Sequence, residues 1–411
     1  METTRGFTFN NEPNKTAFMI INPKKGNEMK KLRNTIKRGE IGRTNEYEYV
    51  GEWYTEKGTH EKSLDVKKSK INFLVNKVKY YGDPYKVGHL ALQVRLTIYN
   101  LTVIPTIFTN IETWSTVTEK EIEELEKIQR EALTSIFELP RSTPYWGLLS
   151  ELGIWPVEQQ MEYKKLTILH DVLTSPDKRL LKEILIDQIQ FPFSGCWIVQ
   201  TLQICEKYNI DINKIEEETP AKFKKRVQTK INEKLEEELK KEVDQKTKMR
   251  FCASMKTEKY LEHLGYSEAK MVLKLRLNMT ELKCNYKNQY TDLKCNLCKE
   301  ENDTTEHLFA CKILREKIST SNEVRISTDG NKEKSKQLAT YIKSALKEKE
   351  IDVRKNVRDN LAEKNIEAYH VARFDETELK MVLEKEKRRE YQISNFDENT
   401  LKMVISCSKN E

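Results

Sequence analysis

Seventeen residues, CNLCKEENDTTEHLFAC, place Cys295, Cys298, His307 and Cys311 at the spacing C-x2-C-x8-H-x3-C. Thiolate and imidazole are the donors Zn²⁺ takes at neutral pH, and four of them close a tetrahedral site. Cys295 and Cys298 fit a tight knuckle that points both sulfurs inward. His307 and Cys311 are four apart, so on a helix they share one face, one turn apart. The intervening EENDTTE is polar and turn-forming. Thr304 or Thr305 can cap the following helix, and Leu308 and Phe309 offer a small apolar core. Four protein ligands leave no position for water, so this zinc is expected to be structural and not catalytic. Cys284 is a substitute for one ligand on spacing alone. Cys196, Cys205, Cys252 and Cys407 have no partner spacing and read as core or adventitious thiols. The competing reading of the cluster is four unrelated residues, two of them buried thiols.

Other chemistry is hard to find. The chain contains no adjacent pair of aspartates, no glycine-rich phosphate loop, no G-x-S-x-G elbow and no H-E-x-x-H helix. Pro176-Asp177 reads as a helix-initiating turn and not as the start of a nuclease carboxylate motif. His60, His89, His170, His263 and His370 each stand alone. On residues alone the chain is a helical nucleic-acid- or protein-binding protein with a zinc knuckle.

The elements that must position this knuckle are expected to be mainly helical. Charged residues make up 33% of the 411 and hydrophobic ones 37%, so cores are thin and solvated helix faces common. Only 13 glycines and 10 prolines argue against a turn-rich sandwich or barrel. The net charge of +7 is compatible with phosphate contact without demonstrating it. No apolar leader opens the sequence, and the apolar stretch Ala91 to Ile111 is broken by Gln93, Arg95, Asn100 and Pro105. The expectation is an intracellular protein of nucleus or cytoplasm, off the membrane, with reduced cysteines.

Strands are expected within the first 60 residues, at FTFN (7–10), AFMIIN (17–22) and the alternating YEYVGEWY (47–54), with a basic surface segment at Lys24 to Arg43. From Ser63 to about Leu282 the pattern is helical. Thr118-Glu119-Lys120-Glu121 is a capping box. Ile122, Leu125, Ile128, Ala132, Leu133 and Ile136 then share one face up to Pro140. Thr219-Pro220 starts a second long helix. Its apolar residues Phe223, Val227, Ile231, Leu235, Leu239 and Val243 recur every four, a narrow winding stripe that packs on one neighbour. The last hundred residues are rich in Lys, Glu, Asp and Asn. They carry two copies of a 22-residue repeat, FDETELKMVL from Phe374 and FDENTLKMVI from Phe396, read as short amphipathic helices.

Several motifs stand in the order found in reverse transcriptases of non-long-terminal-repeat retrotransposons, and the chain resembles the C-terminal part of that family. NKTAFMI (Asn14, Lys15, Thr16, Met19) resembles a late palm motif, and YEYVGEWYTEKG the primer-grip hairpin, through Tyr49-Val50-Gly51. LTVIPTIFTNIETW resembles the thumb helix and its tail, through Pro105, Glu112 and Trp114. The segment after the thumb is matched through Gln129, Arg130, Leu139, Pro140, Pro144, Leu152, Gly153 and Pro156. The cysteine cluster with TTEHLFAC resembles the family's zinc-binding region.

The resemblance implies a palm remnant with a hairpin (1–60), a helical thumb (61–117), a helical linker (118–280), a zinc knuckle (281–320) and a charged, partly disordered tail (321–411). Family members copy RNA into DNA with two Mg²⁺ held by palm aspartates. Those aspartates precede the Asn14 motif, so the expectation is a truncated protein without polymerase activity. Mg²⁺ would enter only with the missing palm. Nucleic acid, RNA or DNA, is the expected partner, met by Lys67, Lys68, Lys70, Lys77, Lys79, Lys86 and Arg95 on the thumb and by Lys294 and Lys299 beside the knuckle. Two alternatives stand beside this: a domesticated adaptor that binds a protein, or a piece of an active polymerase.

Overall fold

Long amphipathic stripes and few glycines make this a helical protein. The computed structural model describes residues 17–21, 42–88, 91–193, 195–245, 249, 251–252, 254–290, 292–318, 326 and 330–363. FTFN and both copies of the 22-residue repeat lie outside these residues.

Among the described residues every strand precedes residue 56. β1 (Ala17–Phe18) pairs in parallel with β2 (Gly42–Arg43), and β3 (Glu46–Tyr49) forms an antiparallel hairpin with β4 (Glu52–Thr55). Tyr49 faces Glu52 across a two-residue turn in which both Val50 and Gly51 have positive φ, 51° and 80°. That handedness matches strand twist. It is an unusual conformation for a β-branched residue, and the Asn110 amide holds it by donating to the Val50 carbonyl at 2.7 Å.

α1 (Glu61–Tyr81) buries Lys67, Ile71, Val75 and Val78 against its neighbours, chiefly the helix that follows Thr118. α2 (Ala91–Ile98) continues through a widened turn (Tyr99–Val103) into α3 (Ile104–Phe108). Pro105 explains the widening, because it lacks an N–H and would clash with the carbonyl one turn back in a regular helix. α4 (Glu119–Ile136) begins with the expected capping box: the Glu121 N–H donates to Thr118 Oγ1, and the Thr118 N–H to the Glu121 carboxylate. Leu125, Ile128, Ala132, Leu133 and Ile136 are buried, as their spacing requires.

α5 (Tyr145–Leu152) ends at Gly153, which adopts φ +65° where the Thr257 backbone leaves no space for a Cβ. α6 (Val157–Leu173) is the central helix, in contact with α4, α7 (Leu180–Gln190), α8 (Trp197–Lys207) and α9 (Pro220–Gln245). Its buried polar side chains each find at least one partner. Lys165 donates to the Trp114 carbonyl and Gln200, Glu162 accepts from Lys207 and Tyr208, and the His170 ring meets the Glu218 carbonyl at 2.9 Å. α9 starts at Pro220 and buries Phe223, Val227, Ile231, Leu235 and Leu239, a single stripe laid on α6.

α10 (Tyr266–Arg276) places Arg276 against the buried Glu151 at 2.9 Å, with Tyr260 also donating to that carboxylate. α11 (Thr305–Ala310) and α12 (Lys312–Ile318) complete the cysteine module, and α13 (Lys332–Glu363) follows. One connected apolar core runs from Ile71 to Ala345. It crosses the expected boundaries at 117, 280 and 320, and it includes Leu338, Ala339, Tyr341, Ile342 and Ala345 from the segment expected to be a charged tail. No helix among the described residues is long and apolar enough to cross a membrane.

Candidate metal centre and basic helix face

The chain reverses tightly after Cys298. Lys299 takes a left-handed conformation (φ 60°) and returns its N–H to the Cys295 carbonyl at 2.9 Å, while the Cys295 N–H donates to the Glu301 carbonyl at 2.7 Å. Asp303 pins the base of the hairpin, accepting from the Lys283 N–H and pairing with Lys349. The cap of α11 is Thr304, whose hydroxyl accepts from the His307 N–H at 3.1 Å. Thr305 instead donates to the Asn278 side chain at 2.5 Å and ties the module to the end of α10.

These constraints bring one donor atom each from Cys295, Cys298, His307 and Cys311 within 4.8 Å of one another. A tetrahedron with metal–sulfur bonds of about 2.3 Å has edges of about 3.8 Å, so the cluster has the size of a metal site. Cys298 Sγ and His307 Nε2 lie 3.3 Å apart. On its other side, His307 Nδ1 is 2.8 Å from the Glu301 carboxylate. A carboxylate accepts and does not donate at neutral pH, so Nδ1 carries the proton and Nε2 offers its lone pair to the cluster. Glu301 is thus a member of the site that ligand spacing did not reveal.

The thiols differ. Desolvation works against it, yet the Glu301 and Glu300 backbone N–H groups hold Cys298 down at about 7. Burial, reinforced by the Cys295 and Cys298 sulfurs, pushes Cys311 up to about 11 despite the Leu314 N–H. Three sulfurs this close ionise together only around a cation. Cys284 lies outside the cluster, with its thiol directed at the Leu293 carbonyl. Cys196, Cys205 and Cys252 are buried thiols, as expected.

No protein-family model, curated protein or solved structure matches this chain.

The expected phosphate-binding residues divide. Lys67 is buried: its ammonium donates to the Thr109 carbonyl at 2.5 Å and lies 3.8 Å from Glu52, and burial lowers its pKa. Arg95 is buried as well, bound to the Gly82 and Ile136 carbonyls and to Glu138. Both are internal struts in this structure, out of reach of a phosphate. Lys70, Lys77 and Lys86 are exposed, and Lys68 and Lys79 half-exposed. Lys294 and Lys299 are exposed beside the knuckle, but they share its surface with Glu300, Glu301 and the half-buried Glu306.

The outer face of α1 had a further feature that charge counting missed. Phe73, Tyr80 and Tyr81 are more than half exposed and Tyr85 fully so. Lys70, Phe73, Lys77 and Tyr80 follow at spacings of three, four and three, which puts them on one face. The Lys77 ammonium lies 4.5 Å from the centre of the Phe73 ring, and that of Lys86 3.1 Å from the Tyr80 ring. No acidic residue occurs between positions 66 and 82.

Proposed function

We propose that the chain is a zinc-stabilised, reverse-transcriptase-like helical protein that binds nucleic acid, with single-stranded RNA or DNA held on the outer face of α1. The observation that carries this reading is the row Lys70, Phe73, Lys77 and Tyr80 on a helix without an acid from 66 to 82, flanked by Tyr81 and continued beyond Asp83 by Tyr85 and Lys86. Exposed rings cost solvation and offer planes on which bases stack, while the lysines attract the phosphates between them. The motif order from Asn14 to Cys311 supports descent from a retrotransposon reverse transcriptase. Zinc is the ion of choice for the cluster because three thiolates and one imidazole in a closed site favour it over harder divalent cations. Its role is to fix the fold of residues 292–318.

The test is fluorescence anisotropy with labelled single-stranded and duplex oligonucleotides. Single strands should bind more tightly than duplex of equal length, tolerate changes of sequence, and weaken steeply as salt rises. Tyr80→Ala should weaken binding by roughly 1–3 kcal/mol, the usual worth of one stacked base. Lys77→Ala should weaken it and make the salt dependence shallower by about one phosphate contact. Absence of binding at low salt would leave the protein-adaptor reading in its place.

A further inference from the structure

Cysteines separated by two residues do two kinds of chemistry: they hold metal ions, and they interconvert between dithiol and disulfide. Cys295 and Cys298 are placed for both. Their turn is closed by the backbone, the Lys299 N–H donating to the Cys295 carbonyl at 2.9 Å, so a local hydrogen bond keeps the pair together whether or not an ion does. Cys311 reaches the cluster from another element, the end of α11. Its sulfur stands within 4.8 Å of the other two, but no shared turn ties it to them.

Access separates the three sulfurs as well. Cys295 and Cys311 are 0% and 1% exposed, whereas Cys298 is only half-buried. Lys299, Glu300 and Glu301 beside it are exposed, so the turn carries Cys298 at the surface of the module. A metal-ligating cysteine is a thiolate, and the accessible thiolate is the one a small oxidant meets. Cys284 directs its thiol at the Leu293 carbonyl and takes neither role.

We infer that the cluster is also an oxidation site, at which a peroxide joins Cys298 to Cys295 as a disulfide and the metal ion is released. The inference rests on the reading of the cluster as a zinc site. Cys298 Sγ attacks one oxygen of hydrogen peroxide; the O–O bond breaks and hydroxide leaves, which gives a sulfenic acid. Cys295 Sγ then attacks the Cys298 sulfur; the S–S bond forms, the S–O bond breaks and a second hydroxide leaves. The two thiolates give up two electrons, and one peroxide is reduced to two hydroxide ions. His307 and Cys311 alone are too few donors for a closed site, so Zn²⁺ passes into solvent, where its charge balances the two hydroxides. Residues 292–318 then lose what fixes their fold, as they would on chelation. Exchange with a reducing thiol restores the dithiol, so the site is a reversible switch as long as oxidation stops at the disulfide.

The experiment exposes the full zinc-loaded chain to a small excess of hydrogen peroxide and follows zinc release with a chromogenic chelator, against an untreated control. The thiols are then alkylated in denaturant and mapped by mass spectrometry after trypsin digestion. Cleavage after Lys294 and Lys299 gives the peptide CNLCK, and cleavage after Lys312 places Cys311 in a separate one, EENDTTEHLFACK. Zinc should be lost completely. CNLCK should be lighter by two hydrogens and escape alkylation, while EENDTTEHLFACK should be fully alkylated. A reducing thiol followed by zinc should return the starting state. Cys298→His keeps four donors of the kinds zinc accepts and should hold its ion through the same treatment. Cys311→His also keeps four and should still release it. The wild-type peptide map decides the matter should either variant fail to fold. A chain that carries no zinc overturns the metal reading and this inference with it. Zinc retained by the peroxide-treated wild type, a disulfide between CNLCK and EENDTTEHLFACK, or release undiminished in Cys298→His overturns the inference alone.

Discussion

Glu301 and Cys311 separate what spacing can reveal about the metal centre from what only folding can. The ligands were legible because two short motifs, each imposed by a local geometry, stand close together. The knuckle requires the pair at 295 and 298, and one helical turn separates 307 from 311. Glu301 was not legible, because Glu300 and Glu306 are equal candidates in sequence. The left-handed turn at Lys299 decides which carboxylate meets His307. Cys311→Ala should therefore abolish stoichiometric zinc by elemental analysis, and Cys284→Ala should leave it unchanged. Glu301→Gln should keep the zinc but weaken its hold by about 10–100-fold in competition with a chelator, since it only orients and polarises the imidazole. The burial of Lys67 is legible in the sequence. This residue precedes Ile71 by four and Val75 by eight, on the stripe that α1 buries. The same holds for Arg95, one turn from the buried Leu92 and Tyr99.

Helix α4 shows how far a single element can be read before its neighbours are known. Its capping box, its apolar face and its end before Pro140 all follow from interactions within a few residues. Thr118→Ala should cost about 1 kcal/mol of stability in denaturant unfolding. The partner of Glu121 was not legible, because His60 comes from the far side of the hairpin and α1. It reaches Glu121 at 2.8 Å while stacking on Trp114 at 3.9 Å. Burial opposes it, but His60 and the Thr118 N–H and hydroxyl hold the Glu121 carboxyl at about 2, against an ordinary 4.5. A depressed acid stabilises the fold above its unfolded value and loses that contribution as pH falls toward the folded one. The deficit of Glu121→Gln relative to wild type should accordingly be full at pH 6 and shrink between about 4.5 and 2, in urea titrations at a series of pH values. α13 fails in the opposite way. Leu338, Tyr341, Ile342 and Ala345 recur at helical spacing, but so many lysines and glutamates surround them that composition reads as a solvated tail. Burial of that stripe becomes apparent only once the cysteine module is beside it.

Across the whole molecule the decisive fact is that the metal module shares its core with helices that precede and follow it. A free-standing knuckle would melt alone when its ion is removed. Here Tyr341 donates to the Leu308 carbonyl at 2.7 Å, Phe309 and Tyr341 stack at 5.1 Å, and Lys349 pairs with Asp303. Those contacts tie α13 to α11 and to the base of the knuckle hairpin. Structural zinc contributes on the order of 10 kcal/mol or more to the fold around it at neutral pH, which is as much as an entire domain commonly possesses. The small apolar content of 292–318 cannot replace that contribution. Chelation should thus release amide protection in 292–318 and in 332–349 together, as one cooperative unit. α4 and α9 should keep their protection, because their buried stripes rest on α1 and α6 and include no residue of the module. Hydrogen exchange followed by mass spectrometry, before and after chelation, distinguishes the cases. Exchange confined to 292–318 would show that α13 holds its place without the metal. Exchange spreading through α4 and α9 would mean that the single connected core is also a single cooperative one, with the ion as a condition of the whole fold.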